Sequence, residues 1–158
     1  MERQGERGGK DMTITVQLLE RLHACADQVA IFAREWPEGA EITTATVARA
    51  GALGLNRAWL ARCTPGLTRA DVLALARGCD SVDRARIACC APGLERADVL
   101  ALAQGCNSDD RALIARCAPG LERADVLALA QGCASVDRAW IAHCAPELTD
   151  EDRARLRA

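Results

Sequence analysis

Aromatic residues are nearly missing from this sequence: it has one Phe, three Trp and no Tyr, although half of its residues are hydrophobic. Ala and Leu supply most of that half, so the core has to come from close-packed helices, because few large side chains can fill wide spaces. Lysine is scarcer still. Lys10 is the only one, and the rest of the positive charge is Arg, a bias that points to a GC-rich, bacterial genome more than to a site. No apolar run approaches the roughly 20 residues that span a bilayer. The opening "MERQGERGGK" leads into no apolar stretch of a secretion signal either. A cytoplasmic chain with no membrane segment is expected. The formal charge of −2 removes any global attraction to nucleic acid or anionic membrane.

Catalytic motifs are missing too. The chain shows no Ser/His/Asp or Cys/His constellation, no Gly-rich phosphate loop and no isolated carboxylate pair. Its two histidines, His23 and His143, lie near opposite ends. The expectation is no enzyme, with no catalytic residue, cofactor or metal.

What is present is repetition. "LERADVLALAQGC" stands at 94–106 and again, letter for letter, at 121–133, within a unit of 27 residues. Copies run over 67–93, 94–120 and 121–147, a diverged one precedes them at 40–66, and a truncated unit closes the chain at 148–158. Residues 13–39 read as one longer N-terminal capping helix with apolar Val16, Leu19, Leu22, Val29 and Phe32. Residues 1–12 read as a polar, disordered segment, with Met12 an alternative natural start.

Each unit reads as two short helices. Thr68 with Asp71, and Thr149 with Asp152, have capping-box spacing. Gly78, Gly105 and Gly132 follow the first helix, where a left-handed residue favours glycine. Ser81, Ser108 and Ser135 are N-cap candidates for the second, and Pro92, Pro119 and Pro146 end it. Neither helix is long enough to stand alone, so neighbouring units must stack. The predicted fold is all-α: a short right-handed α-solenoid of stacked two-helix repeats with helical caps.

Aligning the copies separates what stays from what changes. Three columns of the second helix vary: Leu55/Val82/Asp109/Val136, Trp59/Arg86/Leu113/Trp140 and Arg62/Cys89/Arg116/His143. They are spaced four and three residues apart and so form one stripe of the helix. The stripe is either ordinary solvated surface or a variable patch per repeat that meets an extended protein partner, unidentified by the sequence. Trp59 and Trp140 favour the partner, since large aromatics suit interface anchors better than solvated stripes. The array is expected to be a monomer or an end-to-end oligomer.

Seven of the nine cysteines fall in two columns, Cys79/Cys106/Cys133 and Cys63/Cys90/Cys117/Cys144. The alternating spacings of 16 and 11 match no zinc motif. Neighbouring units stack at about 8–10 Å, too far for an unstrained disulfide. The cysteines are therefore expected to be small buried hydrophobes. The alternative is a redox or metal sensor, with Cys89 as the thiol or His23 with Cys25, or His143 with Cys144, as ligands. Arg57, Arg84, Arg111 and Arg138 form another column beside Asn56, Asp83, Asp110 and Asp137, and Asp71, Asp98 and Asp125 form one on the first helix. Asp–Arg pairs that tie hairpins together, with Arg also serving helix-end carbonyls, are expected over a phosphate track.

The hairpin array resembles the broad class of helical-repeat binding proteins, such as tetratricopeptide and ankyrin proteins, without either signature. "LTRADVLALARG" (67–78) is similar to the first helix of transcription activator-like effector repeats. That resemblance implies nucleic-acid binding, with Asp80, Asn107 and Ala134 at the place of the base-reading loop. The unit is shorter than that family's, lacks its Gly-Lys-Gln phosphate-contacting stretch, and belongs to an acidic array.

Overall fold

The computed structural model describes residues 12–158. Apart from Met12, the segment 1–12 expected to be disordered, with the question of the natural start, lies outside the described residues.

The chain opens with strand β1 (Thr13–Ile14) and helices α1 (Val16–Arg21) and α2 (Ala26–Glu35), followed by strand β2 (Ala40–Glu41). The single capping helix expected over 13–39 is thus a helix pair. His23 breaks it, with φ of 59°, the one positive φ outside glycine among the described residues. The His23 N–H donates to Glu20 C=O and the Ala24 N–H to Leu19 C=O, both at 3.0 Å. These are the two bonds of a Schellman stop. The reason for the break is packing: Leu19 and Phe32 share one small core, whereas a straight helix would hold them about 20 Å apart. An antiparallel pairing of β1 with β2, Ile14 opposite Ala40, closes the pair.

The repeats follow as helix pairs: α3 (Thr44–Ala52) with α4 (Arg57–Cys63), α5 (Arg69–Ala76) with α6 (Ser81–Cys90), and α7 (Arg96–Ala103) with α8 (Ser108–Cys117). Then come α9 (Arg123–Ala130) with α10 (Ser135–Cys144), and a lone α11 (Asp150–Arg157). Local chemistry sets these limits as expected. Thr68 and Thr149 make reciprocal capping boxes with Asp71 and Asp152. Gly78, Gly105 and Gly132 take φ of 68°, 70° and 72° just past the first helices. Second helices stop two residues before each proline.

The N-caps of the second helices are a correction. Asp80 and Asn107 accept from the N–H of Asp83 and Asp110, each at 2.8 Å, and Ala134 holds the equivalent place with no side-chain bond. Ser81, Ser108 and Ser135 are instead the first helical residues. In two of them the hydroxyl bonds across to the following unit, where Ser81 donates to the carboxylate of Asp110 and Ser108 to that of Asp137.

The second helices α4, α6, α8 and α10 stand side by side, and α5, α7, α9 and α11 each pack on the second helix before them. Ala58, Ala85 and Ala112 are buried in this row, which lets backbones approach closely. Ile87, Ile114 and Ile141 with Val72, Val99 and Val126 are fully enclosed and form the repeating core. The result is an all-α stack of helix–loop–helix pairs. Among the described residues no helix is long and apolar enough to cross a membrane.

Candidate functional site

The variable stripe changes character along the stack. In the first unit Leu55 and Trp59 pack against the core of the N-terminal helix pair. They line a cleft of about 450 Å³ that also takes in Phe32 and Trp36, so three of the four aromatic residues of the chain meet there. Phe32 and Trp36 pack with ring centroids 5.2 Å apart. Arg62 is half-buried and donates to the Ala58 carbonyl at 3.2 Å. At this end the stripe is part of the packing.

Further along it opens. Val82 is 41% exposed, and Arg86 is exposed 3.7 Å from Asp83. Cys89 is half-buried, its thiol donating to the Leu113 carbonyl at 3.6 Å. Burial foremost, and then the Cys117 and Cys90 thiols, push Cys89 up to about 12. It is half-buried, and its thiol is not readily ionised. In the third unit Leu113 and Arg116 are half-buried and Asp109 is exposed. The Asp137 charge raises the Asp109 carboxyl above the usual aspartate value. In the fourth unit Val136 is 59% and Trp140 53% exposed, and His143 is exposed as well. Arg116 lies over the Trp140 ring, 5.6 Å from its centroid, a cation–π contact that joins the third unit's patch to the fourth's.

The loop residues Asp80, Asn107 and Ala134 are exposed, but the first two turn their side chains back as helix caps. The arginine column faces helix ends. Arg57 donates to the carbonyls of Arg77 and Gly78, Arg84 to that of Gln104 and Arg111 to that of Gln131, at 2.6, 3.2, 2.8 and 3.0 Å. Arg138 instead donates back to Cys133 C=O at 3.1 Å. Apart from Cys133, these acceptors lie one or two residues past the end of a first helix, where the helical ladder supplies no donor.

The Asp–Arg ties exist, but through arginines that the sequence columns did not single out. Arg69, Arg96 and Arg123 make two-pronged pairs with Asp98, Asp125 and Asp152, with Nε–Oδ2 distances of 2.6 Å throughout. The guanidinium bonds hold all three carboxyls below the usual aspartate range. The recurring offset of 29 residues from Arg to Asp was the available signal.

The cysteines split by column. All nine are free thiols. Cys106 and Cys133 are buried and Cys79 half-buried, each donating to a carbonyl one turn back at 3.2–3.3 Å. Cys63, Cys90, Cys117 and Cys144 are exposed, as is Cys25. Each of those four is the last residue of its helix, and burial holds for one column only. His23 and Cys25, like His143 and Cys144, lie at the surface, and no group of three or more potential metal ligands converges among the described residues.

Comparison with known proteins gives no matching family model, no matching curated protein and no matching solved structure.

Proposed function

We propose that this chain is a non-enzymatic helical-repeat scaffold that binds a partner protein through the variable stripe of its second helices. One observation carries the reading. The large hydrophobic residues that stand exposed among the described residues are Val82, Val136 and Trp140, and all three belong to that stripe. Exposed apolar groups scattered at random would not fall in the same columns, and an exposed Trp beside an Arg has the composition of an interface anchor. The contact therefore centres on α10 and its neighbour α8, with Trp140, Val136, Leu113 and Arg116 as its middle. Leu55 and Trp59 contribute by fixing the first unit against the N-terminal helix pair. No observation favours nucleic acid, since the loop side chains are spent on caps and the arginine columns on carbonyls and carboxylates.

A photo-crosslinking residue placed at Trp140 tests this in the source cell, with the same residue at Ala124, exposed on an invariant first helix, as control. One defined protein adduct from position 140 and none from 124 is expected. Equal yields from the two positions, or none from 140, would defeat the reading.

A further inference from the structure

The second helix bears another row on the side facing the next unit, which shares only its last position with the variable stripe. Ser81, Ala85 and Cys89 on α6, and Ser108, Ala112 and Arg116 on α8, are spaced by four residues and lie along one edge. In both helices the following second helix covers that edge, and Ala85 and Ala112 are 0% and 4% exposed. The cover is bonded at both ends. Ser81 donates to Asp110 and accepts from the Asn107 N–H at 3.1 Å, while the Cys89 thiol meets the Leu113 carbonyl. Ser108 donates to Asp137 and accepts from the Ala134 N–H at 2.8 Å, while Arg116 lies over Trp140. First turn meets first turn, and the last turn of one helix meets the middle of the next, so the two helices run parallel.

On α10 the same edge is bare. Ser135, Ala139 and His143 are all exposed, whereas Ala142, on the side covered in every unit, is still 0% exposed. The missing cover is not supplied by α11, which occupies the place of a first helix. There Arg153 replaces the enclosed Val72, Val99 and Val126, and its guanidinium donates to the Ala142 and Ala145 carbonyls at 2.7 and 2.9 Å. A second helix folded onto α11 in the inner manner would have to seal that charge from water, which is costly.

We propose that Ser135, Ala139 and His143 form a docking edge for an α-helix of a partner protein, running parallel to α10. The two inner junctions define its chemistry. It carries a carboxylate at its third residue, as Asp110 and Asp137 do, to accept from Ser135. Three residues on it carries a large apolar side chain, as Leu113 and Trp140 do, for His143 to cover. The edge thus continues the row of second helices with a helix from outside. The proposal shares with the preceding reading that the partner is a protein, but Ser135 and Ala139 lie outside the variable stripe.

The probe is a lactam-stabilised peptide of residues 106–118 with Cys106→Ala and Cys117→Ala, which presents α8 with its cap and Asp110. Fluorescence anisotropy against the full chain should give saturable binding. Asp110→Asn in the peptide is expected to weaken it about tenfold, since a hydrogen bond to a charged acceptor is lost. Ala139→Glu in the chain should abolish it with the circular dichroism unchanged, and Ser135→Ala should weaken it several-fold. Val136→Ser, which alters only the variable stripe, should leave it within about twofold, so the two surfaces are tested separately. Absence of binding, or affinity indifferent to Asp110→Asn, Ser135→Ala or Ala139→Glu, overturns the proposal. Self-association of the unliganded chain that Ala139→Glu abolishes would give the edge to a second copy and overturn it too.

Discussion

Asp109 shows how a single position can set the cost of a variable surface. Its column holds Leu55, Val82 and Val136 in the other units, and only here does a second carboxylate come close to an Asp that a serine already holds. The Asp137 charge raises the Asp109 carboxyl, so its ionised form is disfavoured in the fold. Stability is then greater below the ordinary Asp value of about 4 and is lost as pH rises through the raised one. Asp109→Asn should therefore raise the melting midpoint at pH 7 by roughly 1–2 °C, the scale of a relieved surface repulsion. The gain should vanish near pH 3, where wild type is neutral at that position as well. A thermal scan at the two pH values checks it, and an equal shift at both would mean that charge repulsion is not the cause.

At the scale of helices and turns, residues with one strong local preference were legible. Prolines stopped the second helices and glycines took the left-handed positions because those residues act through their own backbone, wherever the neighbours lie. His23 escaped for the same reason, since no glycine marks the break that splits the N-terminal pair. Its φ of 59° carries the strain of a side chain in left-handed backbone. His23→Gly should stabilise the fold by up to about 1 kcal/mol after the extra chain entropy of glycine is set against it. His23→Val should destabilise it, and urea unfolding of both variants measures the two effects. The bonds between units were harder to read. Aligned copies show that Ser108 and Arg96 recur, but not that one reaches Asp137 and the other Asp125 in the next unit. Which cysteine column faces water was hidden likewise, because a column fixes a phase on the helix and not what stands beside it. Of the candidate site, the sequence showed which residues vary. The uneven exposure along the stripe, from Trp59 in a cleft to Trp140 in the open, came only from the packing of the ends.

For the molecule as a whole, the junctions that join the units 67–93, 94–120 and 121–147 use the same chemistry at the same offsets: Arg to carboxylate over 29 residues, Arg to carbonyl over 20, N–H to serine over 26. Removing residues 94–120 would bring Arg69 to Asp125, Ser81 to Asp137 and Arg84 to the Gln131 carbonyl, each a pairing of the same kind. The shortened chain should keep its helicity per residue and unfold in one transition at a lower temperature, because each unit of a stack is stabilised by its neighbours. Removing residues 94–106 alone should instead leave most of the chain unfolded. Circular dichroism on the two deletions distinguishes them. For the gene, the uniform junction has a further meaning. A crossover between misaligned copies adds or removes a whole number of codons, and its product still meets a matching partner at every seam. The length of this protein is thereby open to change by recombination, in steps that selection on folding does not reject.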